Sequence, residues 1–174
     1  KNAMKTNLIL IICIALFMGN VSLSQGFKYV GAAKCKMCHN SADKGAQFTK
    51  WSESKHSKAM ETLKGPDALK IGKAKNITDP SKDQKCTKCH STAASIDAKL
   101  NGGITVEEGV SCESCHGAGE KYKSPAIMKD HAQSLKNGLV IPDEKVCKKC
   151  HNPESPNFKE FDFAKFSAKI AHPK

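Results

Sequence analysis

Four short stretches of this 174-residue chain carry the same set of reactive side chains. They are Cys35-Lys36-Met37-Cys38-His39, Cys86-Thr87-Lys88-Cys89-His90, Cys112-Glu113-Ser114-Cys115-His116 and Cys147-Lys148-Lys149-Cys150-His151. Two thiols three positions apart, with a histidine directly behind the second, form the pattern by which a chain attaches a c-type haem. The thiols add across the porphyrin vinyl groups and the histidine ligates the iron. Paired cysteines also build tetrahedral zinc sites. Zinc places no demand on the residue after the second cysteine, however, and neither does a disulfide. With seven histidines in the whole chain, one behind each of the four pairs selects haem. Four haem c groups are expected.

Six-coordinate iron needs two axial ligands, so four such haems need eight. The motifs supply His39, His90, His116 and His151, and only His56, His131 and His172 are left for the opposite faces. One iron is short of a histidine. Met60 or Met128 would fill the place and raise that haem's potential, and Tyr122 is a weaker candidate. The other possibility is a five-coordinate iron open to small molecules.

The elements that must hold these ligands are short. The spacing predicts an amphipathic helix from about Asp43 to Lys64, with Phe48, Ser52, His56, Met60 and Leu63 on one stripe and Trp51 and Ala59 beside it. Gly65-Pro66 should end it. The lysine-rich stretch 65–85 reads as an exposed loop with at most a short helix. Gly102-Gly103 followed by Ile104-Thr105-Val106 suggests a small hairpin. Ile127 to Leu135 reads as one helix carrying His131, ended by Asn137-Gly138. Phe158, Phe161, Phe166 and Ile170 mark a closing amphipathic segment that ends at His172. The second and third motifs are the closest in sequence, so their haems should be neighbours. The expected fold is mainly α with little or no β-sheet, a compact multihaem cytochrome c whose core is built around four covalently attached haems.

Residues 1–24 read as a leading remnant, Lys1-Asn2-Ala3, followed by a secretory signal peptide with an apolar run from Leu8 to Met18. Cys13, the one cysteine outside the motifs, lies in that run. The run is too short for a comfortable membrane span, so no stable span is expected after cleavage. Residues 25–174 form the expected tetrahaem domain. Export to the periplasm fits, because bacterial c-type attachment is completed outside the cytoplasm. All eight remaining cysteines are claimed by haem, so the haems do the cross-linking.

The net charge of +11 falls to +9 without Lys1 and Lys5, and haem propionates offset most of the rest. Every basic residue is lysine. No planar guanidinium fork exists for phosphates or guanine edges, so nucleic acid is excluded as a partner. Lysines at haem edges would instead steer the protein to redox partners with acidic docking surfaces.

These residues resemble the tetrahaem cytochrome c-554 family of nitrifying bacteria, electron acceptors of hydroxylamine oxidoreductase, over nearly all of the chain after residue 24. The resemblance is carried by Cys35–His39 with Trp51 and His56-Ser57-Lys58-Ala59-Met60-Glu61, by Gly109–Gly119, and by Phe161-Asp162 through Ala171-His172. It implies three bis-histidine haems and a five-coordinate second one. It further implies that His131 caps the iron on His39, His56 the iron on His116 and His172 the iron on His151, leaving the iron on His90 open. This chain is shorter than the family around the second and fourth motifs and after His172. The function implied is a periplasmic carrier of single electrons. Reduction of a small nitrogen species such as nitric oxide at the open haem is the enzymatic alternative. A subunit of an extracellular cytochrome filament is the structural one.

Overall fold

The computed structural model describes residues 26–172, so the expected leader lies outside the described residues. Eleven short α-helices follow one another there. They are α1 (Ala32–His39), α2 (Gln47–Ser52), α3 (Ala59–Thr62), α4 (Pro66–Ala74), α5 (Gln84–His90), α6 (Thr92–Ser95), α7 (Cys112–His116), α8 (Pro125–Met128), α9 (His131–Lys136), α10 (Glu144–Lys148) and α11 (Phe163–Ile170). Among the described residues the only β-pairing is an isolated parallel bridge between Tyr29 and Asn101. The mainly helical, sheet-poor fold read from the sequence is the one observed. No helix among the described residues is long and apolar enough to cross a membrane.

The predicted helix from Asp43 to Lys64 is instead three pieces, a 3₁₀ turn at Ala42–Lys44 followed by α2 and α3. The break at 53–58 has a local cause and a distant one. The Ser57 hydroxyl donates to the carbonyls of Ser52 and Ser54, which diverts the helical ladder. The His56 carbonyl accepts from Val110 N at 2.9 Å, so the chain opens there to receive the segment before the third motif. Gly109 permits that approach: a Cβ on it would lie 2.7 Å from the carbonyl oxygens of both His56 and Ser57.

Two further expectations are corrected, and the one for Gly65-Pro66 is borne out and extended. Gly65-Pro66 starts a helix as well as ending one, because Pro66 takes the first helical position, where its missing N–H costs nothing. Asp67 in the first turn and Lys73 in the last complement the α4 dipole. The residues expected to form a hairpin pair with no strand of their own: Gly102 and Gly103 form a bend, and Val106 opens a 3₁₀ turn that runs to Glu108. The helix expected over Ile127–Leu135 is split at Asp130, whose side chain accepts from Gln133 N and caps α9. Its predicted end at Asn137-Gly138 is observed, with Gly138 at φ 98°.

The polypeptide itself supplies little apolar core. Met60, Leu63, Ile77, Ile104 and Tyr122 are buried, while Leu69, Ile141, Phe158, Phe166 and Ile170 are exposed.

Candidate haem centres

Each motif sits at the end of a short helix, so its thiols and imidazole project where the helix stops. The first, second and third motifs end α1, α5 and α7, and the fourth runs from α10 into the following turn. Asp83 and Asp143 cap α5 and α10 by accepting from Lys85 N and Val146 N. Helix α1 has no such residue of its own, since Gly31 is its N-cap.

The imidazoles are prepared for metal. Nδ1 of His90 donates to the Ala59 carbonyl at 2.8 Å, with the Thr62 hydroxyl at 3.3 Å. Nδ1 of His116 donates to the Val140 carbonyl at 3.2 Å. Occupying Nδ1 fixes the tautomer and leaves Nε2 as the ligating atom. Burial lowers the pKa of His56, His116 and His151 below the ordinary histidine value, which favours the neutral ring that binds iron.

Two motif histidines face histidines from outside the motifs. The His56 and His151 ring centres are 6.0 Å apart, and those of His116 and His172 are 5.9 Å apart. Imidazole nitrogens bind metals at about 2 Å, and each stands about 1 Å from its ring centre. Rings ligating one iron from opposite sides are therefore about 6 Å apart. The donor sets fit haem iron on this test. The family resemblance implies a different pairing, with His56 on the iron of His116 and His172 on that of His151. The backbone of His56 does lie beside the third motif, through its bond to Val110, but its ring turns to the fourth. His172 correspondingly meets His116.

His39 ends α1, and its charge reaches His116. His131 is the first residue of α9. Buried Met60 belongs to α3, whose Ala59 carbonyl holds the Nδ1 side of His90. That is the side away from the ligating nitrogen. Met60 is thus badly placed to ligate the second iron from its opposite face. Tyr122 is buried and donates its hydroxyl to the Gly117 carbonyl at 2.9 Å. Met128 lies in α8, against α9.

The thiols show how the motifs neighbour one another. The Cys35 thiol lies beside Cys112, and that of Cys89 beside Cys150. Burial followed by Cys147 pushes the Cys115 thiol up, which places the third motif beside the fourth. Burial with Cys89 pushes Cys150 up to about 12. The segments flanking the second and third motifs also meet. Thr92, just after His90, accepts from Ser111 N through its hydroxyl, and its N–H donates to the Gly109 carbonyl.

Two features of the site escaped the sequence. His151 stacks on Phe161 with ring centres 5.0 Å apart, and Phe161 on Phe166 at 5.4 Å. The three line a cavity of about 190 Å³ with Cys150 and Phe158. Only the bunching of phenylalanines after the fourth motif signals this ladder. The second feature is Glu113, in a variable position of the third motif, which is almost wholly buried. No spacing rule could have found it.

Comparisons with known proteins agree with this geometry. The family model described as cytochrome c554 and c-prime matches residues 34–117. Cytochrome c-554 of Nitrosomonas europaea is 35% identical over 143 residues, covering 74% of this chain. The chain spans 54%, about half, of that relative's length. The solved structure of reduced cytochrome c554 from the same organism matches with a TM-score of 0.54 and 26% identity, over 84% of this chain and 79% of that one. Motif, sequence and fold agree in the likeness of this chain to the multihaem cytochrome c-554.

Proposed function

We propose that the protein is a periplasmic tetrahaem carrier of single electrons, with three bis-histidine haems and one five-coordinate haem on His90. The observation that carries this reading is the pair of histidine–histidine contacts at 6.0 and 5.9 Å. On this reading His56 serves the iron on His151 and His172 the iron on His116. His131 is then the one histidine left, and it completes the iron on His39 as in the resembled family. His90 keeps its anchored Nδ1 and has no histidine assigned opposite it.

Bound haem supplies one-electron chemistry whose potential follows axial ligands, burial and nearby charge. The chain's contribution is to hold the four attachment sites in series. Cys35 meets Cys112, Cys115 lies by Cys147, and Cys150 meets Cys89, giving the order first, third, fourth, second. Lysines around this series steer acidic redox partners towards it. Attachment of haem c outside the cytoplasm supports the periplasmic location.

The test is ligand binding. The reduced protein, mixed with carbon monoxide or nitric oxide, should show a spectral change amounting to about one haem in four. His131→Ala should add a second binding haem. Four low-spin irons and no ligand binding would leave a plain carrier without an open site.

A further inference from the structure

Glu113 joins the first and third motifs through their backbones. Its Oε1 accepts from Val30 N at 2.9 Å and from Gly119 N at 2.6 Å, and its Oε2 accepts from Gly31 N at 2.8 Å. Its relative exposure is 1%. Beside it, Glu108 Oε2 accepts from Ala32 N at 2.8 Å. Gly31 N and Ala32 N open helix α1, so the end of the first-motif helix is met by two carboxylates from the third-motif side. The backbone is shaped for this contact. A Cβ on Gly31, which has φ +87°, would fall 2.8 Å from Glu108 Oε1, and one on Gly119 would fall 3.0 Å from Glu113 Oε1. The Cys35 thiol lies beside that of Cys112, within reach of the charges of Glu113 and Glu108.

We infer that Glu113 is a positioning residue that locks the first and third haem sites together, and that its buried negative charge holds the haems attached there at lower potential than the other two. The inference rests on reading both motifs as haem sites. Ferric haem carries one more positive charge than ferrous haem. A negative group fixed nearby in a poorly polarisable surrounding therefore favours the oxidised form. Such a group acts more strongly than a surface carboxylate, because water and salt do not screen it. Four acceptor bonds from two glutamates to the amides of residues 30–32 and 119 keep these charges in place.

The experiment is a potentiometric titration of the intact haem-loaded protein, followed by visible absorption and electron paramagnetic resonance, with the haem count taken by mass. In Glu113→Gln, two of the four haems should become easier to reduce. Their oxidised-to-reduced ratio at fixed potential should fall about tenfold, which is about 59 mV for one electron. The high-spin haem on His90 should not move. Glu113→Asp keeps the charge and should titrate close to the parent while melting at a lower temperature. Glu108→Gln, which removes the less buried partner, should move the same two haems in the same direction by less, and serves if Glu113→Gln does not fold. Parent-like potentials in whichever glutamine variant folds would overturn the inference. So would an aspartate variant shifted as far as the glutamine one, because that would make the role structural alone. A parent protein without haem on Cys35 or Cys112 removes the underlying reading first, and the mass shows this before any titration.

Discussion

The two pairs of neighbouring motifs are fastened by opposite means. The first and third meet through Glu113, a buried carboxylate that accepts three backbone amides and touches no lysine in doing so. The second and fourth meet through Lys88 and Glu154, 2.6 Å apart, with side chains 43% and 69% exposed. A buried carboxylate saturated with amide donors is fixed in space and insensitive to salt. An exposed ion pair contributes little and is screened. One half of the molecule is therefore rigidly registered, and the other is held by attached haem and by the aromatic ladder on His151.

Deleting the carboxylate should have the largest effect. Glu113→Ala strands three amide donors, each costing about 1–3 kcal/mol when left buried and unmade. The loss should exceed about 3 kcal/mol and lower the melting temperature by about 10 °C, read by calorimetry on the ferric protein. A change of a degree or two would dissolve the contrast.

Gly109→Ala comes next. Gly109 has φ +65° and ψ −139°, a conformation that side chains resist at about 1–3 kcal/mol. A Cβ there also drives into the His56 and Ser57 carbonyls. Besides the stability loss, a second high-spin signal should appear as the His56 ring leaves its station by His151. A parent-like resonance spectrum would detach His56 from iron ligation.

The smallest effect belongs to the exposed pair. Lys88→Ala and Glu154→Ala should each cost less than about 1 kcal/mol, and added salt should erase the difference from the parent. If either costs as much as Glu113→Ala, the two halves are fastened alike and the comparison fails.

What could be read without coordinates was the chemistry, because attachment of haem c demands a fixed local string. The stripe from Phe48 to Leu63 misled, because its periodicity is genuine but yields to Ser57 and to docking on Val110. The pairing of His56 with His151 depends on which way a ring turns after non-local docking, and spacing carries no record of that. Glu113 was invisible for a related reason: its partners Val30 and Gly31 lie 83 and 82 residues away.

That last separation also bears on how the protein is made. The first-motif helix leaves the ribosome early, yet the groups that finish its leading turn are carried by residues 108 and 113. A loop of this length closes slowly and at an entropic cost. Until it closes, Cys35 and Cys38 belong to an unfinished, open segment. The order of synthesis thus differs from the order of completion: the first attachment site to be made is finished only when the third segment has docked on it.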